Sequence, residues 1–341
     1  MKRTLILIVT VLFLSACEKP IELDIEYTES KVVVMSQNDA DAPASLTLTY
    51  SRPVYGTYYI RNGEDYFQQI TNATASLSVN GGNALTATRT GNRYSFSYTP
   101  VAGDNLNLLI SVPGKGQVTA TATVPTTPTV TDVTFTHPDT SMLYEDYYDN
   151  STISLTLTDN ASSTDYYSVR VRCIDTCYAI IRNYHDSIIR CDTVYHDQYL
   201  DFECVDNLLI QNSDLGSIVE TDLNPIGAML YWGDELLFTD ANINGQKHTI
   251  QLSPESHVEY YPEIGDYSFY GEMSEYRARL IVEVTSLTRD QYLFRQTMRS
   301  YSEDDMIGIF SEPVQVHSNI NGGIGIFGFC MKHSTIFYLH D

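Results

Sequence analysis

The chain has 341 residues, with 43 acidic against 20 basic side chains and a net charge of −23. That surplus excludes nucleic acid as a partner, which requires clustered Lys and Arg against phosphate, and it disfavours electrostatic docking on anionic lipid. The length suffices for two ordinary domains.

Met1-Lys2-Arg3 carries two positive charges and is followed by an apolar run from Thr4 to Leu14. The run is too short for a permanent membrane helix, which needs about 20 residues. It suits the core of a signal peptide, roughly 7–15 residues long. Leu14-Ser15-Ala16-Cys17 then matches the bacterial lipobox: small residues fit the peptidase, and the thiol takes the diacylglycerol. Residues 1–16 are therefore expected to be a lipoprotein signal peptide, Cys17 the lipidated first residue of the mature chain, and residues 17–30 an acidic tether. Each buried acyl methylene contributes about 0.8 kcal/mol, and more than one chain is needed for stable anchoring. A triacylated cysteine meets that condition, so the chain reads as anchored to the membrane rather than spanning it.

Residues 31–124 alternate apolar and polar side chains with period two, the pattern of half-buried strands. Leu46, Leu48 and Tyr50 share one face, as do Ala75, Leu77 and Val79, then Tyr94, Phe96 and Tyr98. Leu108, Ile110 and Val112 follow, and after them Val118, Ala120, Ala122 and Val124. Turn chemistry separates the runs at Asn80-Gly81-Gly82-Asn83, Gly91-Asn92 and Gly114-Lys115-Gly116. The expected fold class is all-β, opening with a β-sandwich of immunoglobulin or transthyretin type. Arg52 to Gln69 breaks the rhythm and reads as a long loop.

Pro125-Thr126-Thr127-Pro128 removes backbone donors, so residues 125–138 read as a linker. Residues 139–341 form the expected second domain, mostly antiparallel β. Ile153-Leu155-Leu157, Tyr167-Val169-Val171-Cys173 and Ala278-Leu280-Val282-Val284 are its clearest strands. Between Cys173 and Cys204 the chain reads as a cysteine-rich insertion. Cys173, Cys177, Cys191 and Cys204 are expected to form two disulfides in an exported protein, with three connectivities open. Cys330 stands apart as a buried free thiol. The period then changes: Thr288 with Gln291 resembles a capping box, and Leu293, Phe294, Thr297 and Met298 fall at helical spacing. A helix is expected near residues 288–300.

Gly323-x-Gly325-x-x-Gly328 matches the dinucleotide-binding expression, but that chemistry needs a helix N-terminus after the glycines. Phe329-Cys330-Met331 reads as strand, so the glycines are expected to allow close backbone approach. No zinc-protease helix, nucleophile elbow or phosphate loop occurs, and the acidic loops at Glu145 and Glu303 lack calcium-loop spacing. No catalytic residue, metal or cofactor is expected. Twenty-six tyrosines suit strands and binding surfaces alike. Tyr55, Tyr58, Tyr59 and Tyr66 on one loop, with Tyr144, Tyr147 and Tyr148 on another, are the candidate contact surface.

Phe310-Ser311-Glu312-Pro313-Val314, then Ser318-Asn319-Ile320-Asn321-Gly322-Gly323-Ile324-Gly325-Ile326-Phe327-Gly328, resembles the closing signature of a Bacteroidota lipoprotein family, domain-of-unknown-function family 4249. Ile21-x-Leu23-Asp24 after the anchor, Thr158-Asp159 before Tyr166-Tyr167, and Phe238-Thr239-Asp240 before Asn244-Gly245-Gln246 resemble it too. The cysteine-rich stretch departs from the family. The resemblance implies an outer-membrane lipoprotein facing the cell exterior, encoded beside a TonB-dependent transporter and acting as its non-catalytic binding or accessory module. It carries over no catalytic residue. A surface hydrolase of glycans or peptides, or an adhesive protein, is the alternative. Asp186-Ser187-Ile188 and Asp192-Thr193-Val194 resemble the O-glycosylation signal of exported Bacteroidota proteins, which marks Ser187 and Thr193.

The lipobox yields a direct prediction. Cys17→Ala should move the protein from the membrane fraction to a soluble or unprocessed form. Fractionation that finds the variant membrane-bound and of mature size would overturn the anchor.

Overall fold

A computed structural model describes residues 29–39, 41–51, 68–136, 151–182, 188–210, 230–254, 271–307 and 315–338. In chain order the strands begin with β1 (Val32–Asp39), β2 (Ser45–Tyr50), β3 (Thr74–Val79), β4 (Leu85–Thr86), β5 (Thr88–Thr90) and β6 (Arg93–Ser95). They continue with β7 (Asn105–Val112), β8 (Gly116–Thr123), β9 (Thr129–Thr136), β10 (Thr152–Thr158), β11 (Tyr166–Arg182) and β12 (Ile188–Leu200). The last six are β13 (Phe202–Val205), β14 (Leu230–Gly233), β15 (Leu236–Thr239), β16 (Lys247–Pro254), β17 (Gly271–Leu287) and β18 (Ile324–Tyr338). Helix α1 (Asn207–Ile210) is a single turn, and α2 (Arg289–Ile307) is the long helix.

Nine strands make one long sheet, in the order β12-β11-β17-β18-β1-β2-β6-β5 with β15 also paired to β11. A four-stranded sheet, β4-β3-β7-β8, supplies the facing side of one core. A five-stranded sheet, β14-β13-β16-β10-β9, supplies the facing side of a second. The protein is thus all-β with sandwich packing, and one sheet is the shared wall of two cores.

The alternation in the sequence explains which faces are inside. On β7, Leu106, Leu108, Ile110 and Val112 are buried while their neighbours face out. On β10 the buried set is Ile153, Leu155 and Leu157; on β11 it is Tyr167, Val169, Val171 and Cys173. Each such side chain contributes about 1.5–3 kcal/mol on burial.

The expected domain division separates the cores but not the sheets. Phe327 and Phe329, near the end of the chain, lie in the same core as Val32, Leu46 and Leu77. The segment 125–138 is not all linker either, because Thr129–Thr136 is β9 and pairs antiparallel with β10. Nor is the Cys173–Cys204 stretch an excursion from the sheet. Its described residues continue β11 into β12 in antiparallel register, from Val171 opposite Leu200 to Arg182 opposite Ile188, and then enter β13.

β1 and β18 pair in parallel, Val33 opposite Ile324 through Asp39 opposite Cys330. The glycines of the closing signature make this possible. Gly325 has φ +116°, and a β-carbon there would overlap the carbonyl oxygen of Val34. At Gly328 a β-carbon would come 2.8 Å from Cβ of Gln291, where α2 lies against the strand. Strand, not nucleotide loop, is the structure of this motif.

Helix α2 starts where expected and runs beyond residue 300. Thr288 caps it: its Oγ1 accepts from the Gln291 N–H at 3.3 Å, and its carbonyl accepts from the Tyr292 N–H at 3.0 Å. The reciprocal half of the box is missing. The Thr288 N–H donates instead to the Phe329 carbonyl, and both amide atoms of the fully buried Gln291 side chain have no partner.

Gly325→Ala is expected to lose at least about 3 kcal/mol, through backbone overlap and a left-handed φ. Gly103→Ala, with φ +87° and open space around it, should lose only about 1–2 kcal/mol. Urea unfolding of the two variants compares them, and equal losses would overturn the close-approach account.

Candidate functional site

The structure places the expected site residues unevenly. Cys17, Tyr55, Tyr58, Tyr59, Tyr66, Tyr144, Tyr147, Tyr148 and Ser187 lie outside the described residues. Thr193 sits on β12 opposite Tyr178 of β11. Cys173 and Cys204 are buried in the second core, on facing sheets. Cys177 lies opposite Val194, and Cys191 opposite Ile180. Three rungs of a ladder span about 10 Å, more than the roughly 4.4–6.8 Å between α-carbons that a disulfide allows. This register therefore does not bring Cys177 and Cys191 together. Cys204 is a free thiol, its pKa pushed up to about 12 by burial first and by Asp206 second, and the two-bridge expectation is not met there. Cys330 is a buried free thiol, as its isolation implied.

Two polar assemblies stand out among the described residues. The first gathers the internal motifs of the sequence. Asp159 follows β10, Asp165 precedes β11 and Asp240 follows β15; the carboxylates offer oxygens within 4.8 Å of one another. Asp159 accepts the Tyr167 hydroxyl at 2.7 Å and the Gly245 N–H at 2.8 Å. Asp240 accepts the Asp165 N–H at 2.9 Å, and its own N–H donates to the Asp165 carbonyl. Burial, then the charge of Asp159, raises the carboxyls of Asp165 and Asp240 above the aspartate range. Burial and the bond to Asp159 raise the Tyr167 phenol likewise.

Carboxylates so placed are donors for a hard cation, but calcium takes six to eight oxygens. Two of the three already accept the hydrogen bonds just described. With Asp159 at 6% and Asp240 at 1% exposure, no sugar ring reaches both, so they are not a glycosidase pair. The cluster ties β10, β11 and β15 together, and no metal is assigned to it.

The second assembly covers the outer face of the long sheet, opposite the cores. The Arg170 guanidinium lies 3.5 Å above the Tyr199 ring and pairs with Asp234 at 3.1 Å. Arg172 pairs with Asp197. Lys332 lies 3.3 Å from Glu283 and 3.6 Å from Asp39. Toward α2, Glu235 accepts the Ser168 hydroxyl at 2.7 Å and Arg295 at 2.5 Å, with Arg299 at 3.7 Å. Burial alone would raise the Glu235 carboxyl; Arg295, Ser168, Arg170 and Arg299 outweigh it and hold it below the glutamate range. Tyr199, Met35, Ile336 and Tyr338 are each more than a third exposed on these strands.

Sequence reasoning missed Glu235, Arg295 and Arg299, whose pairing joins residues far apart in the chain. Arg170 and Arg172 carried a signal: they alternate with the apolar Val169 and Val171, which places them on the opposite face.

The acidic assembly has a calculable pH sign. Asp165 and Asp240 keep their protons to higher pH folded than unfolded, so they oppose folding above those folded values and not below the ordinary value of 3.8. Asp165→Asn should raise stability at pH 7 by no more than about 1 kcal/mol, given its partial exposure. The gain should shrink as pH falls toward about 4. Urea unfolding at the two pH values checks this, and a loss at pH 7 would sink it.

No curated protein matches the chain. A solved structure described as "Structural basis for the promiscuous specificity of the carbohydrate-binding modules from the beta-sandwich super family" aligns at 11% identity, covering 67% of this chain and 98% of that one. Its TM-score of 0.16 is too low to carry an argument. The family model described as "Domain of unknown function (DUF4249)" matches residues 18–336, across both cores and the closing glycine signature. The chain belongs to the DUF4249 family.

Proposed function

We propose that this protein is a lipid-anchored module of the outer membrane, facing the cell exterior, that binds rather than catalyses and assists a TonB-dependent transporter in nutrient capture. The observation that carries the binding reading is the outer face of the long sheet. Its strands devote one face to the cores, while the other presents Tyr199, Arg170, Arg172 and Lys332 beside exposed Met35, Ile336 and Tyr338. Aromatic and arginine side chains of this kind are enriched at interfaces. The lipobox at Leu14 to Cys17 supports the anchor, and the resemblance to transporter-linked lipoproteins supports the partner. The tyrosine loops at Tyr55–Tyr66 and Tyr144–Tyr148 are the second surface the sequence offers.

Purification of the tagged native lipoprotein from detergent-solubilised outer membrane should recover a stoichiometric transporter. Tyr199→Ala combined with Tyr338→Ala should reduce that recovery at least about tenfold, as for loss of an interface anchor of roughly 1.4 kcal/mol or more. Melting temperature should stay within a few degrees of wild type. Recovery of the protein alone, with hydrolysis of a glycan or peptide panel, would overturn the proposal.

A further inference from the structure

In a chain carrying 43 acidic against 20 basic side chains, the region of β11 and α2 gathers basic ones. Three guanidiniums act on Glu235 there: Arg170 from β11, and Arg295 and Arg299 from α2. Among the described residues, the carboxylates that pair with them are Glu235 and Asp234. More telling is what the donors lack. Arg170 Nε and Arg299 Nη1 are buried and have no acceptor among the described residues.

A buried donor without a partner costs about 1–3 kcal/mol, and more when it carries charge. Such a group calls for an explanation, and an ion is one. The side chains remain within reach of solvent, with Arg170 at 27%, Arg295 at 21% and Arg299 at 20% exposure. Guanidinium forks match the planar or tetrahedral oxygens of carboxylate, phosphate and sulfate, often through two parallel N–H bonds. Glu235 holds the arrangement together in the absence of a ligand. It takes Arg295 on one oxygen and leaves Arg299 at 3.7 Å from the other, too long for a hydrogen bond.

We propose that Arg170 and Arg299, positioned by Glu235 and Arg295, form an oxyanion-binding site at the junction of β11 and α2, which accepts an anionic group of a small ligand. The site deepens the binding reading by naming a ligand class, and it rests on that reading for its role in capture. Arg299 is the specificity-determining residue, because the Glu235 oxygen it faces lies beyond hydrogen-bonding distance, at 3.7 Å. Arg172, already paired with Asp197, lies outside the site.

The test is thermal unfolding and calorimetric titration of the full-length lipoprotein in detergent, with sodium phosphate, sulfate and acetate each compared with chloride at matched ionic strength. At least one oxyanion should raise the unfolding midpoint saturably above chloride. A response to phosphate or sulfate alone assigns a tetrahedral anion, and a response to acetate alone assigns a carboxylate. Arg299→Gln should weaken the binding at least about tenfold, as expected for loss of a charge-assisted hydrogen bond. Arg299→Lys should retain part of it, and Lys247→Gln, an exposed position on β16 of the five-stranded sheet, should bind as wild type does. Responses equal to chloride, or a wild-type response from Arg299→Gln with its unliganded midpoint unchanged, would overturn the site. Oxyanion binding with no transporter recovered leaves the site standing and removes the accessory role, and the converse result does the opposite.

Discussion

Parallel pairing of β1 with β18 holds the first described strand against the last, and the two cores take their common wall from it. Val34 lies beside Gly325 with no room for a β-carbon, so the two backbones meet closely. Phe327 and Phe329 then reach the core built on β3, β7 and β8, while Phe337, farther along the same strand, packs against the other. Thr119 of β8 and Asn321 exchange both backbone hydrogen bonds, at 3.0 and 2.8 Å, and fix the four-stranded sheet to the approach of β18. Asn319 adds a side-chain clamp, accepting the Phe327 N–H at 2.9 Å and donating to the Phe327 carbonyl at 2.8 Å. The closing signature is a set of contacts that hold one strand in place.

The polar assemblies use opposite electrostatics. Around Glu235 the arginines overcompensate burial and favour the charged carboxylate. Around Asp240 like charges add to burial, and the proton is favoured. The first sits on the outer face of the sheet, within reach of solvent, and suits recognition. The second is enclosed where β10, β11 and β15 end, and it joins two of the internal family motifs into one hydrogen-bonded knot. A motif's recurrence within a family need not mark a ligand site.

Local patterns carried the fold class. The alternation from Leu46 to Val124 gives the buried faces nearly residue by residue, and Thr288 marks the helix start. What local pattern does not contain is which sheet a strand joins. Nothing near Ile324 says that its partner is Val33, so the prolines at 125 and 128 suggested a division that long-range pairing overrides. Gln291 shows the same limit: the spacing implied a reciprocal cap, but the Phe329 carbonyl, from a distant strand, takes the Thr288 N–H first. The candidate site was least legible, since Arg170, Glu235 and Arg299 meet only after β11, β15 and α2 have been assembled.

The closure of β1 on β18 also orders events in time. A chain emerging from its N-terminus presents Val32–Asp39 early, yet the neighbour that completes its pairing is Ile324–Tyr338. Until that strand has emerged, β1 can hold only β2 among the described strands, and the core around Val34 lacks Phe327 and Phe329. Contacts of such sequence separation form slowly, because the intervening loop must close before they are rewarded. A truncated product would therefore leave an unpaired edge of β1 and an open core, both of which favour aggregation. Strand β18 acts as a checkpoint: only a chain extended through Tyr338 can shut the sheet.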